Sequence, residues 1–205
     1  DWYFVSREEL EGKAYFPKQG FCGDKMIQVT SSGPDSYWES IHQAYFSAIT
    51  AARKSVFITT PYLVPDESIL MALKTVALRG VDVRLLLPSK PDHRTVFLAS
   101  KAHFTELLEA GVKIYQYQKG FVHSKVFIVD DNFSSIGTAN LDIRSFNLNF
   151  EVNAFIYDEE IAKVLKKNFY LDLLQSKQII LEEYSMLPIH HRFIESIAKL
   201  FSPIL

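Results

Sequence analysis

Residues 121–145 read FVHSKVFIVDDNFSSIGTANLDIRS, with a histidine and a lysine two positions apart at the head of an apolar run, a pattern the chain carries once. Side chains alternate faces along a strand, so His123 and Lys125 point the same way if the run is extended. Asp130 follows His123 by seven positions, an odd offset, and seven extended residues cover about 23 Å. It therefore belongs to the opposite face and a distant end, and its expected job is structural, holding the turn that starts at Asp131. A two-residue loop at Asp131-Asn132 sets Lys125 opposite Thr138 and His123 opposite Asn140. One hairpin then gathers an imidazole, an ammonium, a hydroxyl and a carboxamide, and Gly137 leaves a ligand room against the backbone.

Those four groups suit a phosphodiester. Lys125 offers compact charge to nonbridging oxygens, and Thr138 and Asn140 offer neutral donors. His123 attacks phosphorus or moves a proton near neutral pH. Glu151, opening the next strand, is the nearest carboxylate able to orient the imidazole. No metal-ligand cluster or cofactor motif accompanies these residues, so charge stabilisation falls to side chains.

Outward from the hairpin, Ile27–Thr30 reads as a strand followed by the turn SSGPD, and Ser36 with Glu39 fits a capping box opening a helix to Ala52. Ser55–Thr60 is a strand, Asp66 begins a helix ending near Gly80, and Val81–Pro88 is a strand. The loop SKPDH leads into one helix through Ala110, stopped by Gly111, and VKIYQY is a strand. Strands alternating with helices predict an α/β domain with a largely parallel central sheet flanked by helices, the motif hairpin lying toward its carboxy-terminal end. EVNAFIYD is a further strand, and Glu159–Gln175 is a helix with Ile161, Val164, Leu165 and Phe169 on one stripe. The expected division is an arm over 1–25, a catalytic domain over 26–180 and a tail over 181–205. In that tail Ile189, Phe193, Ile197 and Phe201 repeat every four residues, the pattern of an amphipathic helix for the domain or a bilayer.

Other polar residues carry competing readings. Tyr62 in TTPYLVPD either lines the mouth of the site or serves a turn. Asp92-His93 follows a strand end, where open α/β sheets collect ligands, but reads better as a solvated loop. Arg144 and Ser145 reach a phosphate or fix their loop, with the loop role favoured. His42, His103, His190 and His191 lack ligand-spaced partners and read as structural or solvated.

With 205 residues, 22 Lys and Arg against 24 Asp and Glu, and a net charge of −2, the chain lacks the basic excess of a protein gripping long nucleic acid, so no nucleic acid is expected. Its single cysteine, Cys22, permits no internal disulfide and suggests a reducing compartment. No apolar run approaches the length of a bilayer span, and the opening DWYFVSREEL lacks an initiator Met or signal core, as in a soluble segment of something longer.

HSKVFIVD followed by IGTAN resembles the signature of the phospholipase D superfamily. SGPDSYWESIHQAYFSAITAARKSVFITTPY, PDESILMALKTVALRGVDVRLLLPSKPDH, the hairpin through EVNAFIYD and the ending LFSPIL are similar to the C-terminal half of bacterial cardiolipin synthases. The resemblance implies a single phospholipase D-like half with His123, Lys125 and Asp130 as the catalytic signature triplet. It implies Thr138 and Asn140 as phosphate-binding positions beside Lys125, and Glu151 as support for the histidine. It further implies phosphatidyl transfer between two phosphatidylglycerol molecules through a phosphohistidine, with a second signature half and membrane-spanning segments outside these residues. The implied partners are phospholipid, that second half or another copy of the chain, and a membrane surface; the implied location is the bacterial membrane, at its cytoplasmic side. A phosphodiesterase or nuclease of the superfamily, or a half that is inactive without its partner, are the competing expectations.

Overall fold

Val56, Phe57 and Ile58 are consecutive and all buried, which a strand permits only when both of its faces are covered. In the computed structural model, which describes residues 6–8, 15, 17–18, 20, 23–186, 188, 194, 197–198 and 200, they lie in β2 (Ser55–Thr59) near the middle of an eight-stranded sheet. The strand order is β1 (Met26–Ser32), β9 (Glu151–Tyr157), β7 (Phe133–Gly137), β6 (Val126–Val129), β2, β4 (Asp82–Pro88), β5 (Lys113–Tyr117) and β10 (Ser176–Ile179). Separately, β3 (Leu63–Val64) pairs in parallel with β8 (Leu141–Asp142).

The sheet is mixed, which corrects the expectation of a largely parallel one. Only β2–β4 and β4–β5 run parallel, and the other five neighbouring pairs are antiparallel. The parallel pairs are those joined through helices: α2 (Glu67–Leu78) between β2 and β4, then α3 (Arg94–Lys101) and α4 (Phe104–Glu109) between β4 and β5. Beyond Gly120 the connections are turns or return from the far end, and these add antiparallel strands.

One face of the sheet carries α1 (Ser40–Ala51), α2 and α4. Ile41, Tyr45 and Ile49 of α1 and Ile69, Leu73 and Val76 of α2 pack there against Ile58, Leu85, Phe127 and Phe155. The other face carries α6 (Glu159–Leu173), whose Ala162 and Phe169 cover Phe57, Leu86 and Ile128. Phe169 stacks on Phe57 with centroids 5.0 Å apart. Full burial of each such ring is worth about 2–3 kcal/mol. Within the expected stripe Leu165 and Phe169 do pack, but Val164 is 59% exposed; Ala162 takes the inward place. The short helices α5 (Ile143–Asn147) and α7 (Leu181–Ser185) follow β8 and β10. No helix among the described residues is long and apolar enough to cross a membrane.

Local chemistry explains the helix starts. Asp66 caps α2 by accepting from the Ser68 and Ile69 amides. The capping box expected at Ser36 and Glu39 does not form: the Ser36 amide donates to Gly33 O at 3.0 Å inside a turn. Glu39 is itself the N-cap, and its carboxylate bonds His42 Nδ1 at 2.9 Å. The single helix expected up to Ala110 is two, broken at Ala102-His103, so that Phe104 and Leu107 turn into the core. Gly111 ends the second with φ 92°, a conformation that favours glycine. Most of the expected arm, Cys22, His190, His191, Ile189, Phe193 and Phe201 lie outside the described residues; of the tail, Ala198 packs with Val64 and Ala99.

The motif hairpin differs from expectation by one residue. Val126 faces Ile136 and Val129 faces Phe133, so the turn holds three residues, Asp130–Asn132. Asp130 sits in the left-handed region at φ 53°, which aspartate tolerates better than most side chains. Lys125 therefore stands opposite Gly137, whose amide donates to Lys125 O at 3.3 Å, and not opposite Thr138. Residues 121–125 precede the strand, so His123 has no cross-strand partner at Asn140. Gly137 serves the sheet and not a ligand: a Cβ there would stand 2.2 Å from Asn153 Oδ1 and 2.4 Å from Val152 O.

Candidate active site

His123 lies in the segment entering β6 and is exposed, while Lys125 is half-buried. Lys125 Nζ is 3.1 Å from Nδ1 and 3.1 Å from Nε2 of His123, and donates to its carbonyl oxygen at 2.9 Å. An ammonium equidistant from both ring nitrogens sits over the ring, leaving either nitrogen open in the ring plane. Phe121 stacks on the imidazole at 5.7 Å and Tyr62 meets it edge-on at 6.5 Å, so aromatic surfaces limit where the ring can go. Partial burial pulls the Lys125 ammonium below its ordinary value, while the carboxylates of Glu151, Asp142 and Asp92 oppose that pull.

The remaining motif residues do different work. Thr138 is engaged with the backbone: its Oγ1 accepts from the Val152 amide at 2.9 Å. Asn140 donates through Nδ2 to Ser145 Oγ at 3.1 Å, and its amide donates to the same oxygen at 3.2 Å. Its Oδ1 is buried with no hydrogen-bond partner among the described residues. Glu151 is 8% exposed and accepts from Asn149 Nδ2 at 3.2 Å; His123 is not among its hydrogen-bond partners.

Asp130 is not brought to this cluster. Its carboxylate accepts from the amides of Lys54 at 2.7 Å, Ser55 at 3.0 Å and Arg53 at 3.2 Å, at the start of β2. The three-residue reach of the left-handed turn brings the carboxylate to those donors. The structural job expected of it is present, but it holds the α1–β2 connection and not its own turn.

Two residues read as turn or loop come together across thirty positions. Tyr62 Oη donates to an Asp92 carboxylate oxygen. Burial, then that bond, raises the Tyr62 phenol; burial also pushes the Asp92 carboxyl up, but the same bond and the His93 amide together outweigh it and hold the group below its ordinary value. Beside them a cavity of about 440 Å³ is bounded by Tyr62, His93, Asn140, Asp142, Arg144 and Asn149. Asp142 caps α5, accepting from the Ser145 amide at 2.6 Å, and burial raises its carboxyl against the Ser145 and Asn140 hydrogen bonds. Asp142 and Asn149 escaped the sequence reading. The signal for Asp142 is the Asp-x-x-Ser spacing of 142–145, an N-cap pattern directly after the motif. Ser145 holds Asn140, in keeping with its expected loop role, whereas Arg144 lines the cavity. His42 is structural, bonding Asp66 Oδ1 at 3.1 Å, and His103 is buried beside Glu106.

A family described as cardiolipin synthase, PLD-like domain, matches residues 45–173, more than half of the chain. Cardiolipin synthase 2 of Bacillus anthracis is 50% identical over 207 aligned positions that cover 100% of this chain and 40% of that protein. Cardiolipin synthase of Geobacillus kaustophilus is 48% identical, covering 100% of this chain and 41% of that protein. The chain thus spans about two fifths of the length of these curated relatives. Among solved structures, a phospholipase D family member, Nuc, from Salmonella typhimurium superposes with a TM-score of 0.64 at 21% identity, covering 77% of this chain and 99% of that one. Phosphatidylserine synthase from Haemophilus influenzae gives 0.67 at 18% identity, covering 87% and 48%. At those identities the structures bear on the fold alone.

Proposed function

The chain belongs to the cardiolipin synthase family of PLD-like domains, and on that premise we propose that it is the carboxy-terminal catalytic half of a phosphatidyltransferase. The reaction joins two phosphatidylglycerol molecules and releases glycerol. A histidine nitrogen attacks the phosphorus of the donor lipid, and the P–O bond to the glycerol headgroup breaks as that oxygen takes up a proton. The terminal hydroxyl of the second lipid then attacks the phosphohistidine, gives up its proton, and frees the imidazole. The observation carrying this reading is the exposed His123 ring with the Lys125 ammonium 3.1 Å from each of its nitrogens. That pair combines a nucleophile or proton carrier with positive charge for the nonbridging oxygens, charge that deepens in the transition state.

In-line displacement sets attacking and leaving groups on opposite sides of phosphorus. One histidine cannot serve both sides, so a second must face His123 from another half or another copy of the chain. In this scheme His123 protonates the leaving glycerol oxygen and then takes the proton of the incoming hydroxyl, and the opposing histidine is the nucleophile. Lys125 and Asn140 hold the phosphate, with the Thr138 hydroxyl at its edge. Glu151 acts through charge and through Asn149 on the placement of these groups. The reaction takes place at the cytoplasmic surface of a bacterial membrane, where the lipid substrates reside.

The test is mass-spectrometric detection of cardiolipin from phosphatidylglycerol vesicles by the intact gene product and by these 205 residues alone, with sedimentation sizing of each. The expected result is synthesis by the intact protein, its loss in His123→Ala, and no synthesis by a monomer of the 205 residues. Robust synthesis by that monomer would overturn the two-histidine scheme.

A further inference from the structure

The cavity on the Asn140 side of the site is unassigned by the chemistry above. Neither His123 nor Lys125 borders it, yet Asn140 and Tyr62 belong to both, Tyr62 meeting the His123 ring at 6.5 Å. A molecule filling it lies beside the reacting phosphorus and not on it. Among the described residues its walls carry a guanidinium, a buried carboxyl group, two carboxamides, a phenol, an imidazole and the Thr95 hydroxyl, beside an about equal share of apolar surface in which Val96 is the one aliphatic side chain. About 440 Å³ is the size of a small-molecule site. That set of donors and acceptors suits a small, polyhydroxylated anion.

Two observations point to what it awaits. The terminal nitrogens of Arg144 make no hydrogen bond or ion pair among the described residues; only Nε is engaged, with Asn149 Oδ1 at 3.4 Å. A guanidinium fork left open at a cavity fits a phosphate with two parallel bonds. Asn140 Oδ1 is a buried acceptor with no partner among the described residues, which a ligand hydroxyl satisfies. We propose that this cavity receives the glycerophosphate headgroup of the acceptor lipid, with Arg144 on its phosphate and Asn140, Asn149 and Asp142 around its hydroxyls; the proposal rests on the phosphatidyl-transfer reading above. The Tyr62–Asp92 hydrogen bond then serves as the wall that keeps this pocket beside His123.

The test separates transfer to lipid from transfer to water in the intact protein. Arg144→Gln is expected to raise the KM for acceptor phosphatidylglycerol about tenfold or more. Hydrolysis of the donor by water should stay within about twofold, because water needs no headgroup pocket. Equal loss of transfer and hydrolysis, or an unchanged acceptor KM, overturns the assignment. Calorimetric titration with glycerophosphoglycerol, the deacylated headgroup, gives a readout that needs no turnover: the intact protein should bind it, and Arg144→Gln should weaken binding about tenfold or more. If the intact protein makes no cardiolipin, the transfer reading fails, and the titration still decides the pocket: binding lost in Arg144→Gln keeps it, and absence of binding sinks it.

Discussion

Replacing Asp130 separates the structural job of the motif aspartate from any chemical one. Its carboxylate takes three amides at 2.7–3.2 Å, of which the Ser55 donor lies in a buried residue while those of Arg53 and Lys54 are exposed. Asp130→Ala orphans the Ser55 donor, which costs about 1–3 kcal/mol, whereas the two exposed donors turn to water at a few tenths each. Alanine also lacks the local hydrogen bonding that reconciles aspartate with φ 53°, adding about 1 kcal/mol. The expected loss is about 2–4 kcal/mol, or about 5–15 °C in Tm for a chain of this length. Asp130→Asn keeps an acceptor oxygen and tolerates the left-handed turn, so it should lose about 1–2 kcal/mol. Urea melts followed by tryptophan fluorescence measure both, and the phosphatidyl-transfer assay is run on whatever fraction remains folded. Under this reasoning the folded Asp130→Asn fraction keeps its turnover. An Asp130→Asn protein with the wild-type urea midpoint and no activity would refute it, because the aspartate would then be acting at phosphorus.

Lys125→Ala should cut turnover by about 10²-fold or more, since among the described residues no other ammonium stands over His123, and Lys125→Arg should restore little; steady-state assays of both decide this. Gly137→Ala should destabilise the sheet by about 1–3 kcal/mol or more, read as a lower urea midpoint, because the new methyl meets the Val152 carbonyl oxygen at 2.4 Å. The hydrogen bond to Asp66 raises the His42 imidazole against its burial, from an ordinary 6.5; burial pushes the Asp66 carboxyl up, but the His42 and Ser68 bonds outweigh it and hold the group at about 2. The pair's contribution is complete between about pH 4 and pH 6.5, falls away as acid carries Asp66 toward pH 2, and is lost as rising pH passes through the raised His42 value. Urea melts of wild type and His42→Gln across pH 3–9 should therefore differ most within that window, and a difference that grows toward pH 9 would contradict the pairing.

Much of this fold is legible in the chain because apolar periodicity and terminal residues act locally. The buried run at β2, the Asp66 cap, Gly111 at a positive φ and the strands at 82–88 and 151–157 all follow from residues within a few positions of one another. The pairing of His123 with Lys125 is equally local, since two positions along an extended backbone keep both side chains on one side. What the tertiary structure alone decided involves partners far apart in sequence. The Arg53–Ser55 amides draw Asp130 into a left-handed turn, adding one residue to the loop, and a slip of one residue exchanges every face of a hairpin. Strand direction likewise waited on assembly, because a helical rhythm predicts parallel pairing only for the strands that helices connect. Tyr62 and Asp92, and the cavity walls from His93 to Asn149, are joined by β3 pairing with β8 and by the helices after β4. Hydrogen bonds between such distant groups leave no periodic trace, so only the folded chain brings them to one side of His123.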